Sequence, residues 1–422
     1  MIAVIRLLLA RYSHLNWALA DQGMVSGTNF LTGIMLARYL GLEEFGRYTL
    51  AWMAVLFVNS IQNAIILSPM MSIGPKQAPD DQPAYYGAVA VQQIILGIAA
   101  FTVVWVGAAV AARIFPEWRI DGLALPLACA ALAFQLQECL RRYFFTHGRG
   151  ALAFATDAIR YLGQLAVLFW LFHFTPMNSA VALWVIAAMA SVAAFASIPV
   201  LGNITWRREA FHATAKHHWK FGKWLVGSAL MQWTSGQLFF IAAGAMLGAT
   251  SVGALRAAQN LIGVTNVLFK GLENVMPVRA AMHYQAGGKK TLISYLWRVA
   301  VTGEFVTGAI AVIAAVAPEF WLNLAFGDEY REFGYLLQWF AAIQMLHYLT
   351  IPLQAGLRAT ERTNVIFWAS VGRTTFTLLT VYPLIKFTGV IGVLIGTSGL
   401  SFIGLAILCF FFLKWAYSSP YD

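Results

Sequence analysis

From Ala84 to Ala112 the chain runs for 29 residues without one charged side chain. Wound as a helix at about 1.5 Å per residue, such a run outreaches the roughly 30 Å of hydrocarbon in a bilayer. Runs of the same kind recur near 17–40, 48–74, 120–145, 150–173 and 177–202, and again near 221–247, 253–282, 296–325, 332–357, 363–386 and 388–414. In lipid every backbone amide needs an internal partner, and segments of this length find one as helices rather than as barrel strands. The sequence therefore predicts an all-α polytopic membrane protein with about 12 transmembrane helices. Composition agrees: 60% of the 422 residues are hydrophobic and 11% charged, whereas a soluble protein carries about a quarter charged residues.

The chain holds 28 Lys+Arg against 18 Asp+Glu, a formal net charge of +10. In a soluble domain that balance would raise the question of nucleic acid. Here it reads as a cationic cytoplasmic face, with no nucleic-acid partner. With the N-terminus inside, the cytoplasmic connections gather Arg141, Arg142, Arg149, Arg207, Arg208, Lys216, Lys220, Lys289, Lys290, Arg358 and Arg362. Arg38, Arg47, Arg113, Arg119, Arg256, Arg331 and Lys386 fall on the opposite side, so both termini are expected in the cytoplasm. Residues 2–14, interrupted by Arg6, Arg11 and His14, suit a retained interfacial amphipathic helix better than a cleaved signal. Cys129, Cys139 and Cys409 sit in apolar segments and imply neither a disulfide nor a metal framework.

The stretch "LGLEEFG" (40–46) is echoed by "LGATSVG" (247–253) at an offset of 207, and Pro69 by Pro277 at 208. Each echo lies at the same place in a block of six spans. An even number of spans gives two blocks that enter the membrane in the same sense. The expected architecture is two parallel, pseudo-symmetric six-helix bundles, 1–205 and 206–422, with candidate hinges at the two prolines.

No HExxH, GxSxG, Walker-type or CxxC motif appears, and no hydrophilic connection is longer than "WRREAFHATAKHHWK" (206–220). Neither catalysis, nor a metal, nor a cofactor is expected. Polar residues instead form stripes inside the spans. Gln259, Asn266, Lys270 and Glu273 share one helical face, as do Gln22, Ser26, Asn29 and Thr32. Asn59, Gln62 and Asn63 lie on the second span, Gln232 and Gln237 on the seventh, His347, Gln354 and Arg358 on the tenth. Such stripes suggest a wet cavity; the alternative is ordinary interhelical hydrogen bonding. Arg160, Lys270 and Arg373 are costly inside a bilayer, about 2.5–3.5 kcal/mol each on insertion scales, and need a cavity or a partner. Asp157 lies three residues before Arg160 and Glu273 three after Lys270, so local pairing competes with anion binding at both. Arg373 has no such neighbour.

The segments "GIMLARYLGLEEFGRYTLAW" (33–52) and "ILSPMMSIGPK" (66–76), the two six-span blocks and the echo at 247–253 together resemble the polysaccharide repeat-unit (O-antigen type) flippases of the multidrug/oligosaccharidyl-lipid/polysaccharide exporter superfamily. The resemblance spans nearly the whole chain. It implies an oligosaccharide on a polyprenyl diphosphate as substrate, moved across the bacterial inner membrane by alternating access, with polysaccharide polymerase or other glycan-assembly proteins as partners. Related lipid II flippases carry cavity arginines on their first two spans; here those faces offer only neutral Ser26, Asn29, Thr32, Asn59, Gln62 and Asn63. Diphosphate recognition would then fall to Lys270, Arg160 or Arg373, supported by Asn266, Gln259, Asn59 and Gln62. Coupling to a proton, to sodium or to the membrane potential has Asp21, Glu138, Glu273 and Glu304 as candidates. Two other functions remain open from the residues: a cation-coupled multidrug exporter of the same superfamily, and a non-transporting scaffold of a glycan-synthesis complex.

Overall fold

The computed structural model describes residues 13–114, 116 and 121–417, apart from the side chains of 13–16, 121, 267–268, 270–271 and 273–275. The interfacial helix expected over 2–14 falls almost wholly outside them. All regular structure among the described residues is helical: α1 (Ser13–Gln62), α2 (Ser68–Ile73), α3 (Gln82–Ile114), α4 (Ala124–Thr146), α5 (Gly150–Phe174), α6 (Ser179–Ser197), α7 (Arg208–Leu247), α8 (Ala249–Ile262), α9 (Thr265–Val316), α10 (Pro318–Phe326), α11 (Gly334–Ala359), α12 (Thr363–Thr388) and α13 (Val390–Tyr417). Seven stretches are long and apolar enough to cross a membrane, among them Gln82–Ile114, Gly150–Phe174, Met276–Val316 and Val390–Tyr417. Side chains such as Ile98, Val103 and Trp105 on α3, or Val301, Phe305 and Val312 on α9, are exposed. A band of exposed apolar residues on that scale belongs in lipid. The protein is a multi-pass integral membrane protein.

Two of the long helices contain a break. Gly41 in α1 has φ 74°, a left-handed value that a side chain would oppose. In α9 the break is at Gly287 and Gly288, and the chain reverses there, since the rings of His283 and Tyr295 stack with centroids 4.4 Å apart. Helical dihedrals persist through Pro277, and the non-helical residues of α9 are the glycine pair. Pro69 is treated differently: a π-helical turn, Asn63–Leu67, precedes it. The wider turn suits a residue that lacks a donor and crowds the carbonyl four positions back.

Chain packing divides the molecule into two units, one of residues up to Leu40 with Arg47–Leu230, the other of Gly41–Gly46 with Met231–Asp422. In unit 1, Ile66, Leu67, Met70, Tyr85, Tyr86, Tyr143 and Phe144 form a buried core. His218, in the hydrophilic stretch ahead of the seventh apolar run, joins this unit through a 2.8 Å hydrogen bond between its Nε2 and the Tyr85 hydroxyl. In unit 2 the core gathers Phe269, Met276, Leu296, Tyr348, Ile351, Leu408 and Phe412.

The repeated motif has a packing reason. Its first copy, 41–46, belongs to unit 2, where it meets the second copy. A Cβ on Gly46 would lie 1.8 Å from the Ala249 carbonyl oxygen, and one on Gly253 2.1 Å from the Leu42 carbonyl oxygen. Each glycine thus admits the backbone of the other copy. Gly248 repeats the left-handed geometry of Gly41, with φ 89°. A Glu329 carboxylate oxygen accepts the Leu42 N–H at 3.1 Å and so caps the turn.

Candidate functional site

Unit 2 encloses a cavity of about 410 Å³ between α7, α11, α12 and α13. His347, Thr350, Gln354 and Arg358 recur at three- and four-residue spacing and bring one face of α11 to it. Gln232 and Ser235 come from α7, Ser370 and Arg373 from α12, Ser401 and Gly404 from α13. Two local features hold Arg373 in place. The hydroxyl of the next residue, Thr374, donates to the Met231 carbonyl at 3.1 Å and pins α12 to α7. Gly404 leaves room for the arginine stem, because a Cβ there would stand 3.1 Å from Arg373 Cδ.

No carboxylate among the described residues pairs with Arg373, and its buried Nε has no acceptor. A fixed guanidinium in a polar chamber, with its charge uncompensated, presents a planar fork of donors to any anionic oxygen that enters. Arg358 adds a second cation and His347, Gln354, Ser370 and Ser401 add neutral polar groups. Chemically, the chamber can hold a phosphate or carboxylate together with hydroxyl-bearing groups.

Unit 1 places its charges otherwise. Arg141, 9% exposed, reaches Asp21 at 2.5 Å, Asp157 at 2.6 Å and Glu138 at 3.3 Å, and Arg142 reaches Glu138 at 2.8 Å. Gln137 donates to Asp157 at 2.5 Å and accepts from Arg160. The Arg160 guanidinium lies over Phe134 and Tyr161, 4.1 and 4.5 Å from the ring centroids, and the residue is 1% exposed. Three carboxylates are thus matched by three guanidiniums in one buried cluster. Pairing within such a cluster offsets the cost of burying its charges, although Asp21 Oδ1 and Arg160 Nε have no hydrogen-bond partner among the described residues. Arg160 is packed into this cluster, with Gln137 bridging it to Asp157, the acidic neighbour that the helical spacing had marked out.

The remaining expected residues divide. Gln62 is fully buried and donates to Gln93 at 2.8 Å and to the Gln135 carbonyl at 2.7 Å, joining α1 to α3 and α4; Asn59 bonds to it at 3.3 Å. Asn266 accepts from Gln344 at 2.8 Å. Gln259 accepts from Arg256 at 2.6 Å. Glu304 is partly buried, with one carboxylate oxygen that has no hydrogen-bond partner among the described residues. Lys270 and Glu273 lie on α9, but their side chains fall outside the described residues.

Two functional candidates escaped sequence reasoning. Arg256, expected at the outer face, sits within α8, bonded to Gln237 and Gln259, with its guanidinium 3.9 Å from the centroid of the Phe240 ring. Arg141, expected in a cytoplasmic connection, is the hub of the unit 1 cluster. Local signals existed for both: Gln259 three residues after Arg256, and Glu138 three before Arg141.

The profile of a family described as polysaccharide biosynthesis protein matches residues 35–334. No curated protein matches the chain by sequence. Among solved structures, the chain is similar to the lipid II flippase MurJ in an inward closed conformation, at 15% identity and TM-score 0.69, covering 95% of this chain and 90% of that one. An inward-facing multidrug resistance MATE family transporter of the MOP superfamily is similar at 14% identity and TM-score 0.69, covering 99% and 100%. A MOP superfamily transporter from Pyrococcus furiosus is similar at 11% identity and TM-score 0.63, covering 96% of each chain. At these identities the likeness carries the fold, which is that of a MOP superfamily transporter.

Proposed function

The chain belongs to the polysaccharide biosynthesis protein family, and from that premise we propose that it moves polyprenyl-diphosphate-linked oligosaccharide across the bacterial inner membrane by alternating access. The observation that carries this reading is the cavity around Arg373. A diphosphate and its sugars cannot cross hydrocarbon without losing their hydrogen-bond partners. A chamber with an uncompensated guanidinium, a second arginine and a ring of hydroxyl and amide groups offers both halves of such a headgroup what they lose in lipid. We assign anion binding to Arg373, with Arg358 and His347 beside it, and keep Lys270 as a further cation for the same headgroup.

The proposal includes twelve spans in two parallel six-helix bundles, 1–205 and 206–422, with both termini cytoplasmic and with glycan-assembly proteins as partners. The protein is a transporter in this reading and performs no catalysis. A cation-coupled drug exporter would need a carboxylate open to its cation. Asp21 is held by Arg141 within a cluster of carboxylates and guanidiniums, which favours an anionic over a cationic cargo, and Glu304 and Glu273 are kept as the carboxylates for coupling.

Flipping of a defined polyprenyl-diphosphate oligosaccharide in reconstituted vesicles tests the reading. A charge-assisted hydrogen bond is worth about 1.5–3 kcal/mol, so Arg373→Ala should slow flipping roughly 10- to 100-fold at unchanged protein level, and Arg373→Lys less. Wild-type flipping by Arg373→Ala removes the site assignment. Drug resistance on overexpression, with no flipping at all, selects the exporter reading.

A further inference from the structure

A second, larger opening of unit 2 lies on the other side of α11. It has a volume of about 740 Å³ and runs between the two arms of α9 and α11, lined by Phe269, Leu272, Val299, Val306 and Tyr348, with Arg298 and His283 also in its wall. Arg298 stands eight residues before Val306 on the same arm, so roughly 12 Å of helical rise separate the cationic end from the apolar end. The arm that forms this wall also presents Val301, Phe305 and Val312 outward at 50%, 79% and 59% exposure. The groove is therefore bordered by the lipid-facing band. Arg298 is exposed; among the described residues it bonds to Ser294 of its own helix, at 3.4 and 3.3 Å, and no carboxylate pairs with it. One ring lies near the walls of both groove and cavity. Phe269 lies 5.3 Å from Tyr348, which lines the groove, and 6.0 Å from His347, which lines the Arg373 cavity.

We propose that this groove seats the polyprenyl chain of the substrate, with the diphosphate end at Arg298 and His283, as a loading station next to the Arg373 cavity. The inference rests on the flippase reading above and adds where the lipid is held. Polarity selects the occupant: among the described residues the trough is largely apolar, with Thr302 and Thr307 along its wall and one guanidinium, Arg298, which matches a chain with one anionic head. An apolar groove of about 610 Å³ in unit 1, lined by Ile94, Leu132, Leu136 and Phe195 among others, has no cation in its wall and lacks that match.

The test is photolabelling of the full chain in phosphatidylcholine nanodiscs with a trace polyprenyl diphosphate that carries a diazirine on its chain. The label is expected on the 289–316 arm. Val306→Trp, which fills the trough, should lower it about tenfold, whereas Phe305→Trp, on the exposed face of the same arm, should leave it unchanged. Arg298→Gln should abolish the preference for the diphosphate over the uncharged polyprenol, and this readout stands even where Val306→Trp disturbs folding. Equal labelling in Val306→Trp and Phe305→Trp overturns the proposal, as does equal competition by unlabelled phosphatidylglycerol. Protection of Ser370→Cys from a thiol reagent by inorganic pyrophosphate reports the Arg373 cavity separately. If protection persists while groove labelling fails, the loading station falls alone; if both fail, the flippase reading falls with it.

Discussion

Acidification should loosen the segment around His218, by an amount that follows from its burial. The side chain is 1% exposed, bonded at Nε2 to the Tyr85 hydroxyl, and its Nδ1 has no partner. Burial, and to a lesser degree neighbouring His217, pushes its pKa down from 6.5 to about 4. The folded state therefore holds the ring neutral, while the unfolded segment takes up a proton as pH falls through 6.5. Stability is fully present above that value and drains away as pH drops toward the folded pKa. Between pH 7.5 and pH 5 the linkage relation gives a loss of about 2 kcal/mol, rising to ~3 below pH 4. Hydrogen exchange of the 208–220 amides in detergent micelles, followed across that range, measures it. His218→Gln, which cannot titrate, should remove the slope, and the difference from the parent isolates this ring from the exposed His212 and His217. Tyr85→Phe should keep the slope, since burial and not the hydroxyl is the main cause. An identical pH profile in the parent and in His218→Gln would refute the reasoning.

Gly253→Ala should cost about 1–3 kcal/mol, because the new Cβ meets the Leu42 carbonyl and backbone has to move; a fall in thermal midpoint in micelles checks it. Gly227→Ala is the contrast: nothing lies within 4 Å of a Cβ there, and helix propensity predicts a gain of up to about 1 kcal/mol. Arg141→Met should destabilise unit 1 by about 3–5 kcal/mol, since Asp21, Glu138 and Asp157 would be left around an uncharged side chain. The same thermal measurement reads that loss, and a midpoint equal to that of the parent would show the cluster to be dispensable.

Apolar run length and helical spacing made much of the molecule legible in advance. Periodicity drew His347, Gln354 and Arg358 onto one face of α11, and the lack of an acidic neighbour singled out Arg373. Both inferences are local: they need only residues within a few helical turns. Arg141 shows where such reading stops. Its partners Asp21 and Asp157 lie 120 and 16 residues away in sequence, and no spacing rule links them. Arg160 was open between pairing and anion binding; its guanidinium donates to Gln137, a residue of another helix that itself donates to Asp157, a relay that no spacing rule reveals. Arg256, grouped with the outer-face cations at the start of the run near 253–282, bonds to Gln237 of another helix as well as to Gln259 of its own, and no spacing rule links it to Gln237. The repeat was visible as letters, but its cause was not, because nothing in either copy announces that the two copies touch.

That contact carries a consequence for how the sequence can drift. At Gly46 and Gly253 the crowding atoms are carbonyl oxygens, which every residue type supplies, so no substitution on one strand of the clasp can make space for a larger residue on the other. Neither position can be rescued by its counterpart, and neither can relax through a change of rotamer. Mutational tolerance at these two sites should be equally narrow, although they stand 207 positions apart.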